Sequence, residues 1–251
     1  MAEQCRRDIR NPWARGSLAG VSAAILAGGL GTRLRPVVAD RPKVLAEVGG
    51  RPFVAYLLDQ LSQAGIDSAI LCTGYLGEQV EATFGARYGS LRLTYSRERS
   101  PRGTAGALRL ALPLFESPSV LVLNGDSYCE ADLPAFWSWH GAREAKATIL
   151  LRHMPDTARY GRVAVDADGR VLGFSEKGAQ AGPGWINAGA YLLARRLIST
   201  IPAAGAVSLE REMFPAWIGH GLYGCRGDGV VLDIGTPEAY TGASAWRPGS
   251  R

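Results

Sequence analysis

The sequence predicts an α/β fold: a mixed, mostly parallel sheet flanked by helices, with an added β region in the second half. Short apolar, β-branched runs alternate with longer helical patterns through the first half, the signature of βαβ units around a parallel sheet. The three strongest runs, Ser22–Leu26, Ala69–Cys72 and Val120–Leu123, read as buried strands. In the second half Arg162–Val165 and Val171–Phe174 flank Asp168-Gly169, a hairpin turn signal, and so read as a β excursion from the parallel core.

Between the first two strands Pro52 opens a helix carrying Phe53, Tyr56, Leu57 and Leu61, and Gly65 closes it. A second helix is expected over Glu78–Phe84, and a third over Ala105–Leu112, capped by Thr104 and stopped by Pro113. Trp185–Leu193 reads as a returning strand, a helix follows Ser208, and Val230–Ile234 leads into a helix opened by Pro237. One domain over 21–246 is the simplest division, with a loose extension at 1–20 and a tail at 247–251. Nothing in that extension resembles a signal peptide, and Val21–Ala27 is too short to span a bilayer, so no membrane and a cytoplasmic site are expected.

The 251 residues carry 28 Lys and Arg against 23 Asp and Glu, a formal charge of +5. The excess lies in scattered arginines rather than in a basic run, which argues against nucleic acid as a partner. Cys5, Cys72, Cys129 and Cys225 are far apart with no histidine cluster, so neither a zinc site nor a disulfide framework is expected. Only three lysines are present, Lys43, Lys146 and Lys177, and each therefore merits inspection. A homo-oligomer is left open.

After the first strand comes Leu26-Ala-Gly-Gly-Leu-Gly-Thr-Arg-Leu-Arg-Pro36. Gly28, Gly29 and Gly31 can bring backbone N–H groups close to phosphate oxygens, and Arg33 supplies a charged fork for the same phosphates. A dinucleotide fingerprint would need a third glycine where Thr32-Arg33-Leu34 stands, and an acidic residue after the second strand, where Cys72-Thr-Gly-Tyr75 has none. A Walker A loop would need Gly-Lys-Ser/Thr. Two further carboxylates follow apolar runs, Asp126 in Val120-Leu-Val-Leu-Asn-Gly-Asp and Asp233 in Val231-Leu-Asp-Ile-Gly-Thr-Pro. Open α/β sheets place ligands beyond strand carboxyl ends, and two aspartates meeting at a triphosphate would suit Mg²⁺. Turn or cap aspartates are the bland alternative.

Gly28-Gly-Leu-Gly-Thr-Arg-Leu-Arg-Pro36 with Arg41-Pro-Lys43-Val-Leu resembles the signature of the sugar-1-phosphate nucleotidyltransferases. The resemblance runs from about residue 22 to 245 and implies a Rossmann-like core with an inserted β region for the sugar. It implies that Leu26, Ala27, Gly28, Gly29, Gly31 and Thr32 bind nucleotide, that Arg33 holds the leaving β- and γ-phosphates, and that Lys43 neutralises charge at the α-phosphate. A solvated surface lysine is the alternative for Lys43. By the same resemblance Asp126 and Asp233 bind Mg²⁺; Ser127 departs from the acidic, amide or threonine residue many members carry.

Tyr95-Ser-Arg-Glu98-Arg-Ser-Pro101-Arg-Gly103-Thr104-Ala-Gly-Ala107 resembles the family's base-reading segment, with Glu98 at the reader's position. A carboxylate only accepts hydrogen bonds; guanine offers adjacent donors at N1 and N2, uracil one N–H beside two acceptors. GTP is thus favoured over UTP or dTTP, unless Glu98 is a surface residue paired with Arg97 or Arg99. Phe174-Ser-Glu176-Lys177 and Trp185-Ile-Asn187-Ala-Gly189 resemble the sugar motifs. Gly125, Glu176, Asn187 and Gly189 are then sugar contacts, and Lys177 binds the attacking phosphate. Within the family the similarity is to the guanylyltransferases of a heptose 1-phosphate. Mannose-1-phosphate guanylyltransferases, glucose-1-phosphate uridylyl- or thymidylyltransferases, and a catalytically silent nucleotide-sugar-binding subunit are the alternatives.

Overall fold

A computed structural model describes residues 17–158, 160–175, 182–243 and 246. Its strands of three or more residues are β1 Ser22–Ala27, β2 Ser68–Thr73, β3 Leu91–Arg97, β4 Ser119–Asn124, β5 Ser127–Cys129, β6 Ala147–Met154, β7 Arg162–Val165, β8 Val171–Ser175, β9 Gly184–Ala194, β10 Leu222–Gly227 and β11 Val231–Asp233. The helices that position the site are α1 Phe53–Gln63, α2 Gly77–Phe84, α3 Gly103–Ala111, α4 Leu133–Ala142 and α5 Pro237–Ala243.

The core is the parallel run β4-β1-β2-β3. Beside β4 the sheet turns mixed: β9 pairs antiparallel with both β4 and β6, and β10 lies parallel to β6. The predicted hairpin is β7–β8, joined to the start of β9 through Arg162 opposite Ile186. The predicted architecture is therefore the one that forms. Ala23–Ala27, Ala69–Cys72 and Val120–Leu123 are continuous apolar runs because both sheet faces are covered there, whereas β3 alternates buried and exposed residues. Ala23, Ile25, Leu121 and Leu123 point to the face packed by α1 and by Leu133 and Phe136 of α4. Ala24, Val120 and Val122 point to the face covered by Ala105 and Leu108 of α3 and by Phe214 and Trp217.

Several boundaries differ from the sequence reading. Leu18, inside the stretch read as a loose extension, is buried, and its carbonyl accepts from the Val21 amide at 3.0 Å. Residues 1–16 and 247–251 lie outside the described residues. Pro52 caps α1 rather than opening it, and Gly65 closes the turn with φ +81°. Thr104 does not cap α3, which begins one residue earlier and has no side-chain cap. Its amides are met from afar: the Val207 carbonyl accepts from Ala105 N at 2.9 Å and from Gly106 N at 3.3 Å. Strands β3, β6 and β10 and helix α4 were not expected. Leu133–Ala142 is apolar all round, without the polar stripe that marks a surface helix. No helix among the described residues is long and apolar enough to cross a membrane.

Two stability predictions follow from this packing. Gly103 has φ +70°, and a β-carbon there would stand 2.4 Å from the Val207 carbonyl oxygen. Gly103→Ala should therefore cost about 2 kcal/mol or more in urea unfolding, and an unchanged midpoint would refute the tight seam. His140 is 5% exposed, its Nδ1 2.7 Å from Thr148 Oγ1, and burial lowers its pKa from 6.5 to about 4. Between those two values the unfolded chain binds the extra proton, so His140's contribution is whole above pH 6.5 and is lost as pH falls towards 4. The loss should approach about 3 kcal/mol, and His140→Gln should flatten that limb of the stability–pH curve.

Candidate active site

A cleft of about 330 Å³ opens at the carboxyl ends of β1 and β4, walled by Gly28, Lys43, Glu98, Thr104, Asp126 and Glu210 among others. Leu26, Ala27, Gly29, Pro101 and Gly103 also line it, as expected for nucleotide contacts. From Gly28 and Glu98 a wider hollow continues towards Tyr75, Arg97 and Arg99.

At the end of β1 the glycines are needed for space. A β-carbon on Gly28 would meet Glu98 Oε1 at 2.8 Å, and one on Gly74 would meet the Gly28 carbonyl at 2.7 Å and the same Glu98 oxygen at 2.8 Å. Glu98 thus inserts its carboxylate into a slot between two strand ends. The Glu98 amide donates to the Thr73 carbonyl at 2.9 Å, and Glu98 Oε2 accepts from the Arg102 amide at 3.1 Å. Burial raises the pKa of Glu98, opposed by the Arg102 amide and charge. The surface pairing with Arg97 does not form, because Arg97 binds Glu78 instead.

Gly31 turns the chain with φ +61°, and the backbone folds back through Leu34 and Arg35 amides onto the Gly31 carbonyl. Thr32 and Arg33 are exposed on that turn and are not among the residues lining the cleft. Lys43 follows on a single 3-10 turn anchored by buried Val44 and Leu45. Its Nζ lies 2.6 Å from Asp126 Oδ2, and its side chain is only 11% exposed. It is no solvated surface lysine.

The two aspartates come together. Strands β5 and β11 pair with Asp233 opposite Ser127, and the Ile234 amide donates to the Asp126 carbonyl at 3.0 Å. Ser127 Oγ donates to Asp126 Oδ1 at 3.2 Å, and the Gly235 amide to Asp233 Oδ1 at 2.6 Å. A β-carbon on Gly235 would stand 2.7 Å from Asp233 Oδ1 and 3.3 Å from Lys43 Nζ, so Asp233 lies near the ammonium that pairs with Asp126. A compact cation already sits among these oxygens, and the donor set of two carboxylates with room for phosphate fits a divalent ion such as Mg²⁺. Among the described residues no group of three or more His, Cys, Asp and Glu gathers.

On the sugar side the outcome is mixed. Gly125 is buried against the Leu26 carbonyl, where a β-carbon would stand at 2.6 Å; it lets β4 end close beside β1 and is not among the residues lining the cleft. Gly189, at φ +79°, brings the β9 bulge against Ser127 and Asn124. Asn187 turns its amide inward, accepting from Gly189 N and donating to Tyr191 Oη, both at 2.9 Å. These two bonds shape the β9 bulge and use one of the two Nδ2 hydrogens of Asn187. Glu176 and Lys177 lie outside the described residues.

Glu210 is a cleft residue that the sequence reading missed. Its Oε2 accepts from Thr104 Oγ1 at 2.8 Å and Ser208 Oγ at 2.9 Å, while the buried Tyr191 hydroxyl stands 3.5 Å from Oε1. Asn124 Nδ2 donates to that same hydroxyl at 3.2 Å. In Ser208-Leu-Glu-Arg-Glu212 the ends cap each other: Glu212 accepts from the Ser208 amide and Ser208 Oγ from the Arg211 amide. Spacing marks only a helix start at Ser208, while the fold aims Glu210 at Thr104.

A glycine turn at a strand end, a buried lysine, paired strand-end acids and a half-buried carboxylate facing one cleft are the parts of a nucleotide-transferring enzyme. The sequence pattern of the Nucleotidyl transferase family matches residues 22–246, and the chain belongs to that family. It is 36% identical to the D-glycero-alpha-D-manno-heptose 1-phosphate guanylyltransferase of Aneurinibacillus thermoaerophilus, across 88% of this chain and 95% of that protein. It is also 36% identical to the mannose-1-phosphate guanylyltransferase of Mycobacterium tuberculosis, across 90% of this chain but only 64% of that longer protein. HddC from Yersinia pseudotuberculosis superposes with a TM-score of 0.80 at 32% identity, covering 89% of this chain and 98% of the other. A second HddC structure, complexed with GMP-PN, gives 0.78 at 30% identity, with the same coverage.

Glu210→Ala should leave the hydroxyls of Thr104 and Ser208 without their charged acceptor and cost about 1.5–3 kcal/mol in denaturant unfolding. Glu212→Ala, which removes one arm of an exposed cap, should cost about 1 kcal/mol or less. Equal losses would mean that Glu210 does no more than cap.

Proposed function

We propose that the chain transfers GMP from GTP to a sugar 1-phosphate, with D-glycero-α-D-manno-heptose 1-phosphate as acceptor, giving a GDP-sugar and pyrophosphate. The observation that carries the reading is the half-buried Glu98 carboxylate in the slot between Gly28 and Gly74, a pure acceptor facing the nucleotide cleft. Two adjacent donors on guanine satisfy it, whereas uracil and thymine bring acceptors against it. The guanylyltransferases to which the chain is similar, and the GMP-PN complex of HddC, support the same base. Mannose 1-phosphate is the second reading, supported by the equal identity to the mycobacterial protein.

In this reading an acceptor phosphate oxygen attacks the α-phosphorus in line, the bond to the β-phosphate oxygen breaks, and pyrophosphate departs. The attacking phosphate is ionised near neutral pH, so neither a protein nucleophile nor a general base is required. The chain's task is to bring two anions together. Backbone amides at Gly28, Gly29 and Gly31 cradle the triphosphate. Lys43, aimed into the cleft, offsets charge at the α-phosphate, and Arg33, exposed on the turn after Gly31, is free to swing onto the departing phosphates. By family resemblance Lys177 meets the acceptor phosphate and Glu176 a ring hydroxyl. Asp126 and Asp233 would hold Mg²⁺, which when bound supplies further neutralisation of the triphosphate.

A matrix of GTP, ATP, UTP and dTTP against heptose and mannose 1-phosphates, read as pyrophosphate release, should show turnover with GTP first. Silence in every cell would favour the non-catalytic nucleotide-sugar-binding alternative. Glu98→Gln should lower kcat/KM for GTP by about 10–100-fold and erase base preference, since hydrogen bonds to a charged group are worth about 1.5–3 kcal/mol. Unchanged selectivity would remove Glu98 from base reading.

A further inference from the structure

We propose that Lys43 is a tethered cation that occupies the acid pair before substrate arrives and must leave Asp126 before a divalent ion can bind, so that nucleotide and metal enter together. The inference rests on the reading of Asp126 and Asp233 as metal ligands.

Lys43 Nζ lies 2.6 Å from Asp126 Oδ2, at the short end of charge-assisted hydrogen bonds. The ammonium is the better buried partner, 11% exposed against 39% for the aspartate side chain, so it covers Asp126 from the protein side. The second acid lies nearby, since one point beside Gly235 is 3.3 Å from Nζ and 2.7 Å from Asp233 Oδ1. The backbone of Lys43 is fixed by buried Val44 and Leu45, while its four-carbon stem keeps rotatable bonds. The ammonium can therefore change partners while the main chain stays in place.

An ammonium and a divalent ion cannot share two carboxylates at these separations without an added anion. A triphosphate is that anion. It draws Nζ from Asp126 onto phosphate oxygen, frees the carboxylate, and brings the negative charge that a second cation needs. Nucleotide and metal then each favour the conformer in which Lys43 has let go, and their affinities are coupled in both directions.

Mn²⁺ alone, titrated into the full chain without nucleotide and followed by electron paramagnetic resonance, tests this directly. Lys43→Met and Lys43→Gln should each bind Mn²⁺ at least about tenfold more tightly than the unaltered chain, and Lys43→Arg, which keeps the charge, should remain as weak. The gain should vanish when Asp126→Asn is added to Lys43→Met. If the unaltered chain binds Mn²⁺ as tightly as Lys43→Met, and Asp126→Asn weakens both, the acid pair is a metal site but Lys43 does not guard it. If none of these chains binds Mn²⁺, the metal assignment itself fails and takes the inference with it. Thermal melts of each variant separate these outcomes from misfolding.

Discussion

The ion pair between Lys43 and Asp126 is the contact on which the site depends, because it joins two segments 83 residues apart at the point where phosphate chemistry is expected. Lys43 is carried by a short turn after the glycine loop, Asp126 by the end of the β4 strand. Neither segment is rigid alone. Each is fixed by what lies behind it, buried Val44 and Leu45 in one case and the apolar β4 strand in the other. The β5–β11 ladder then adds Asp233 from the far end of the chain, through the Ile234 amide and the Asp126 carbonyl. Charge is concentrated in a place that backbone hydrogen bonding has already built.

Close approach is the second constraint. Gly28, Gly74 and Gly125 stand where strand ends converge so tightly that a β-carbon on any of them would come within 2.8 Å of a neighbour. Glu98 reaches the cleft through that convergence, and its backbone position is set by the Thr73 carbonyl rather than by its own side chain. Desolvation of the carboxylate is tolerated because the Arg102 amide and charge oppose it. A half-buried acceptor that lacks a strong cationic partner is well suited to meet ligand donors.

The third constraint is the seam between the start of α3 and the segment 207–210. Val207 donates to the Arg102 carbonyl and accepts from Ala105 and Gly106, Leu209 donates to Thr104 Oγ1, and Glu210 accepts from the same hydroxyl. Through Tyr191 this seam touches Asn187 and Asn124, so Glu210 and Asn124 of the cleft share one hydrogen-bond network with the β9 bulge. A disturbance at either wall is felt at the other, because a buried network loses more than one bond when a member is removed.

Sequence alone determined three of the four parallel core strands, the β excursion and many of the residues that line the cleft, since periodicity and short motifs are local properties of the chain. Ser22–Leu26 is apolar whichever helix covers it, and a glycine turn followed by Arg33 and Lys43 carries its charge pattern in one stretch. Tertiary structure decided what needed partners from afar: that Lys43 meets Asp126, that Glu98 is inserted between strand ends instead of paired with Arg97, that Asn187 faces inward, and that Glu210 belongs to the cleft. It also decided how α3 is capped, by Val207 and not by Thr104. The physical reason is the same throughout. Local spacing fixes which groups a segment can offer, whereas hydrogen-bond and charge partners are chosen by packing across the sheet, where residues 100 positions apart become neighbours.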